Sequence, residues 1–122
     1  MHHSHVLLVE DEATIRMILA EVLADAGFVV TEAASGEVAL RLFDEVRAFD
    51  LLVTDVHMPG RVNGVDLARA VRARWPEVPV VFVTGRPDAL RRFGDLGPRD
   101  RFVLKPCRSA TLLSAVESSL AA

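Results

Sequence analysis

The chain has 122 residues, 51% of them apolar and 25% charged, with a net charge of -3 and a single cysteine, Cys107. That length suits one domain over residues 1–122, whose core needs neither disulfide nor structural metal, and a lone cysteine fits a reducing cytoplasm. The charge gives no general affinity for nucleic acid or an anionic membrane, and no apolar run approaches the ~20 residues of a membrane span.

Residues 1–4 read as a solvated tail with no room for a signal peptide, and His2, His3 and His5 are assigned no function. His5–Val9 is a continuous apolar run of the kind a parallel sheet buries on both faces. Ile15, Ile18, Leu19, Val22, Leu23 and Ala26 then recur at helical spacing, with Gly27 as the stop signal. Phe28–Thr31 reads as a second strand, and Ser35 as the cap of a second helix with Val38, Ala39, Leu42 and Phe43 on its apolar face. Asp50–Thr54 forms the third strand. A Pro-Gly loop leads to Asn63, the cap of a third helix carrying Val65, Ala68 and Val71. Pro79–Thr84 is the fourth strand, with proline at its first position, where a missing donor is tolerated. A short helix, Asp88–Phe93, is cut off by Gly94 and Gly97; Arg101–Leu104 is the fifth strand, and Ser109–Leu120 the last helix.

Five strands alternating with five helical segments predict a doubly wound α/β fold, a five-stranded parallel sheet in the order 2-1-3-4-5. The ligand site of such a sheet lies at the carboxyl ends of the strands. Glu10-Asp11-Glu12, Asp55, Thr84 and Lys105 end strands one, three, four and five. Neighbouring strands stand about 4.8 Å apart, so Asp11 and Asp55 are expected side by side with Thr84 just beyond. Lys105 starts roughly 10 Å from Asp55, a gap its flexible stem can largely cross. Clustered carboxylates need a cation, and oxygen ligands without histidine or cysteine favour Mg²⁺, Mn²⁺ or Ca²⁺ over zinc. Such a site prepares Asp55 as a nucleophile toward phosphorus, with Lys105 taking up charge and Thr84 offering a hydroxyl.

Four strings carry a resemblance: Val9-Glu10-Asp11-Glu12; Val53-Thr54-Asp55-Val56-His57-Met58-Pro59-Gly60; Val83-Thr84-Gly85; and Leu104-Lys105-Pro106. In order and separation they resemble the receiver-domain family of two-component signalling, over essentially the whole chain. The resemblance implies the flavodoxin-like, CheY-like fold. It implies that Asp55 is the phosphoacceptor, Asp11 the main magnesium carboxylate, Glu10 its companion acting through water, and the His57 backbone carbonyl a further metal ligand. It marks Thr84 as the switch hydroxyl, Lys105 as the phosphate-binding lysine, Phe102 as the switch aromatic, and Lys105-Pro106 as a cis peptide. The side chains of His57 and Arg86 stand where phosphoryl lifetime is tuned. The implied cofactor is Mg²⁺, with Mn²⁺ able to substitute. The implied donor is a histidine kinase or phosphotransfer protein, and the implied target surface is the fourth helical segment, fifth strand and last helix of a cytoplasmic monomer or weak dimer.

Some features depart from the family pattern, and others leave alternatives open. The loop Pro59–Gly64 is one residue longer than the common form, and the fourth helical segment is short and interrupted by glycine. Read on their own, Asp55 suits a turn, Thr84 a strand and Phe102 a plain core position. The competing functions are a receiver segment of a hybrid histidine kinase or multidomain regulator, an aspartate-nucleophile phosphatase, and an interaction module that needs no phosphorylation. The phosphatase reading wants a second aspartate two residues after the first, where this chain has His57.

Overall fold

The computed structural model describes residues 4–46, 48–94 and 96–121. His2 and His3, and most of the expected tail with them, lie outside the described residues. Ser4 is already tied to the sheet, its carbonyl accepting the Val29 N–H at 3.0 Å.

Five strands, β1 (His5–Val9), β2 (Val29–Ala33), β3 (Leu51–Asp55), β4 (Val80–Thr84) and β5 (Arg101–Leu104), form one parallel sheet in the order β2-β1-β3-β4-β5. Among the described residues four α-helices connect or follow them: α1 (Ala13–Asp25), α2 (Gly36–Val46), α3 (Gly64–Arg74) and α4 (Ser109–Ala121). The doubly wound fold is thus the expected one, with a difference in the fourth crossover. There Pro87–Phe93 forms a 3₁₀ helix, beginning at proline and ended by Gly94 at φ 90°. Seven residues with glycine directly behind them offer too few turns to propagate α-helical hydrogen bonding, and the tighter 3₁₀ form suits such short pieces.

The alternation of side chains along the strands divides the core in two. Leu7, Val9, Leu52 and Phe82 point to the side of α2, α3 and the 3₁₀ segment, where they meet Phe43, Leu67, Val71 and Leu90. Val6, Leu8, Val53 and Val81 point to the side of α1 and α4, meeting Leu23, Leu112 and Val116. β3 and β4 are buried at every position, as central parallel strands covered on both faces should be.

α1 departs from its expected apolar face. Leu23 is fully buried and Leu19 and Val22 pack against the core, but Ile18 is 52% exposed and Ala26 is exposed. The helix rests on a narrow line of contact, and Ile18, one residue from Leu19 and so about 100° around the helix from it, falls at the margin. The caps are as read from the sequence. Ser35 Oγ accepts the Val38 N–H at 3.1 Å, and Asn63 forms a reciprocal capping box with Asp66.

Candidate phosphoryl-acceptor site

The register of the sheet sets the site. Val9 pairs with Thr54, so Glu10, the residue after β1, stands level with Asp55, the last residue of β3. Asp55 pairs with Val83 and Thr84 with Leu104, which steps Thr84 and then Lys105 progressively past the sheet's carboxyl edge. β3 runs one residue further than expected, so Asp55 belongs to the strand. A ladder residue is held more rigidly than a loop residue, and its side chain is 7% exposed.

Glu10, Asp11 and Asp55 each place a carboxylate oxygen within 4.8 Å of the others. Glu10 and Asp55 are buried and Asp11 is exposed, which gives the cluster two walls and an open mouth. The Lys105 ammonium spans two strands to donate to Asp55 Oδ2 at 3.0 Å and to Glu10 Oε1 at 3.4 Å. The Glu12 N–H donates to Glu10 Oε2 at 3.0 Å, and the His57 N–H approaches Asp55 Oδ1 at 3.4 Å.

Three carboxylates face one ammonium. Burial pushes the Glu10 carboxyl above its usual range; the Asp55 charge adds to this, and the Glu12 N–H and Lys105 offset it only in part. Burial alone would lower the Lys105 ammonium, but its hydrogen bond to Asp55 and the charges of Asp55 and Glu10 hold it above its ordinary value. The cluster therefore carries excess negative charge on oxygen atoms alone, partly desolvated and open on one side. That donor set fits a small hard divalent cation that keeps several waters.

Thr84 is fully buried, and its hydroxyl accepts the Arg86 N–H at 2.9 Å. The Lys105 N–H donates to the Thr84 carbonyl at 2.9 Å, so the ends of β4 and β5 are joined there. The side chains of Arg86 and His57 are exposed. Phe102 faces outward, 46% exposed on the edge strand, with Leu104 beside it at 52%. The Lys105-Pro106 peptide is cis.

Two contacts that support the site were not singled out from sequence. Gly64, the first residue of α3, lies directly against the main chain of Asp55 and Val56. Its signal was a poor helix former in the first helical position behind a good cap. Arg16 donates from Nη1 to the Glu10 carbonyl at 2.8 Å and from Nε to Glu32 Oε1 at 3.3 Å. Its signal was a cation within the first turn of a helix, where the dipole disfavours one. The long loop between β3 and α3 also finds a support. It turns at Gly60 with φ 100°, and the Arg61 N–H donates to Glu37 Oε2 on α2 at 3.3 Å. Val62 of the same loop crosses Gly36, where a β-carbon would come 2.4 Å from the Val62 carbonyl oxygen.

Residues 6–117 match the family model described as the response regulator receiver domain. The chain is 38% identical over 117 residues to the chemotaxis protein CheY of Pseudomonas aeruginosa, covering 92% of each. It is 37% identical over 117 residues to the sensor kinase CckA of Brucella abortus, covering 94% of this chain but 12% of that protein. Among solved structures, the response regulator receiver protein of Sinorhizobium medicae superposes with a TM-score of 0.90 at 31% identity, covering 99% of this chain and 97% of that one. No described helix is long and apolar enough to cross a membrane.

Proposed function

The chain belongs to the response regulator receiver domain family, and from that premise we propose that it is a phosphoacceptor switch that takes a phosphoryl group onto Asp55. The observation that carries the reading is the contact of Lys105 Nζ with Asp55 Oδ2 at 3.0 Å, inside a cluster of three carboxylates. A lysine that crosses two strands to reach one aspartate orients that carboxylate and supplies positive charge where phosphoryl oxygens would arrive.

Asp55, Asp11 and Glu10 would hold Mg²⁺, with the His57 carbonyl as a further ligand; Mn²⁺ is the natural substitute. When bound, the cation supplies charge neutralisation at the transferring group's oxygens. An Asp55 carboxylate oxygen attacks phosphorus as the bond to the donor breaks, and the donor's leaving group departs with the bonding electrons. A phosphohistidine on a histidine kinase or phosphotransfer protein fits as donor, since its imidazole leaves readily. The chain's own catalysis is confined to this transfer and to the later hydrolysis of its acyl phosphate.

The product adds roughly one to two negative charges at the rim. Thr84 then exchanges its contact with the Arg86 N–H for one to the phosphoryl group. Phe102, outward in this structure, turns toward the space that Thr84 leaves, and the face made by the 3₁₀ segment, β5 and α4 changes for a protein target. His57 and Arg86 border the entry for water and set the phosphoryl lifetime. We read residues 1–122 as one receiver domain, working in the cytoplasm as a monomer or weak dimer. The likeness to CckA supports a second form of the same reading, in which this receiver is a segment of a longer sensor kinase.

The test is chemical trapping. After treatment with acetyl phosphate and Mg²⁺, borohydride reduction should convert one acyl phosphate to homoserine, mapped to the Asp55 peptide by mass spectrometry. A reduced residue elsewhere, or none, would sink the proposal.

A further inference from the structure

Arg16 stands three residues after the start of α1, where the partial positive charge of the helix N-terminus disfavours a cation. It is nonetheless mostly covered, with its side chain 20% exposed, and it makes two specific contacts. Nη1 donates to the Glu10 main-chain carbonyl at 2.8 Å, and Nε to Glu32 Oε1 on β2 at 3.3 Å. The Glu10 N–H donates to the Ala33 carbonyl at 3.1 Å, so the donor and the acceptor of this one residue are both held. The carbonyl that Arg16 grips belongs to the peptide joining Glu10 to Asp11. The plane of that peptide decides how the two carboxylates diverge as the chain leaves β1.

We propose that Arg16 is a positioning residue for the cation site: anchored on Glu32, its guanidinium fixes the Glu10-Asp11 peptide so that both carboxylates face Asp55. This rests on the cation reading given above. Positioning and charge make opposite demands here, which gives the idea a sign. If Arg16 acted only as a nearby positive charge, removing it would tighten Mg²⁺ binding. If it orients the acidic pair, removing it weakens Mg²⁺ binding. The planar fork of arginine suits this task, because one rigid group can serve a carbonyl and a carboxylate together.

The test is calorimetric titration of Mg²⁺ into the parent, Arg16→Ala, Arg16→Met and Arg16→Lys, with melting of each in EDTA as the metal-free reference. Arg16→Met keeps most of the apolar stem and serves if Arg16→Ala does not fold. Both neutral variants should bind Mg²⁺ roughly tenfold more weakly, the low end for residues that orient metal ligands. Arg16→Lys, with one donor left for the Glu10 carbonyl, should recover part of the loss. Neutral variants that bind as tightly as the parent, or more tightly, overturn the positioning role, whatever their melting temperatures. A parent that binds no Mg²⁺ overturns the cation reading itself, and the positioning role with it.

Discussion

A β-carbon added to Gly64 would lie 1.9 Å from the main-chain oxygen of Asp55 and 2.9 Å from the Cα of Val56. The Gly64 N–H donates to the Val56 carbonyl at 3.0 Å, so α3 begins pressed against the strand end that carries Asp55. No flexible side chain stands in the way to yield; the obstruction is backbone. Gly64→Ala should therefore cost about 2–3 kcal/mol, in the upper part of the overpacking range, read as a lower urea midpoint. Gly27→Ala is the control, since φ there is +100° and nothing lies within 4 Å of an added β-carbon. It should lose only the backbone term of about 1 kcal/mol. Equal losses in the two variants would contradict this account of Gly64.

Asp100 makes the best-connected buried carboxylate at the other end of the sheet. It accepts from Arg72 Nη2 at 2.6 and 2.8 Å, from the Val80 N–H at 2.9 Å and from the Gly97 N–H at 2.7 Å. Burial alone would raise its carboxyl, but these four donations outweigh it and leave Asp100 below its ordinary value of about 3.8. A depressed carboxylate stabilises the fold at every pH above its unfolded value, and that contribution is lost as pH falls through the folded one. Asp100→Asn should cost about 2–3 kcal/mol at pH 7, less than a fully buried pair because Arg72 is 30% exposed. The gap in melting temperature between parent and variant should narrow once the pH drops below about 3.8. A gap that widens with acid would reverse the assignment.

Lys105 competes with any cation for the oxygens of Asp55 and Glu10, which it contacts at 3.0 and 3.4 Å. Lys105→Ala should then bind Mg²⁺ more tightly while accepting a phosphoryl group about tenfold more slowly or worse, since charge at the transferring oxygens is lost. Calorimetry with Mg²⁺ and the rate of phosphorylation by acetyl phosphate separate the two effects. Tighter binding with an unchanged rate would remove Lys105 from the transfer step.

Adding Mg²⁺ should raise the melting temperature, because a cation that binds only the folded cluster stabilises it by mass action. Asp11→Asn should abolish most of that rise while leaving the EDTA melting temperature unchanged or higher, as Asp11 is exposed and adds charge to a crowded cluster. A variant that keeps the full Mg²⁺ response would exclude Asp11 as a ligand.

The sheet order and the meeting of Glu10, Asp11, Asp55 and Lys105 were legible because strand-end polar residues become neighbours once a parallel order is fixed. Strong apolar runs such as Val80–Thr84 declare themselves without help from the rest of the chain. Three things were less legible, each for a tertiary reason. Ile18 carries the right spacing for the core, but only the seating of α1 decides that it is half exposed. Pro87–Phe93 has helical periodicity, and its 3₁₀ form follows from its length and from Gly94 behind it. The supports of the site are the Arg16 side chain on the Glu10 carbonyl and the Gly64 main chain against that of Asp55; a glycine at a helix start and a cation in a first turn mark such positions in the sequence without naming the backbone they meet.

The proposed switch requires that one aspartate accept one phosphoryl group under metal control. Intact mass spectrometry after acetyl phosphate treatment measures it directly, comparing the parent with Asp55→Asn, each with Mg²⁺ and with EDTA. A single phosphoryl adduct is expected on the parent with Mg²⁺, and no adduct in the other three samples. An adduct of equal yield on Asp55→Asn, or a folded parent that stays unmodified in Mg²⁺, would contradict it.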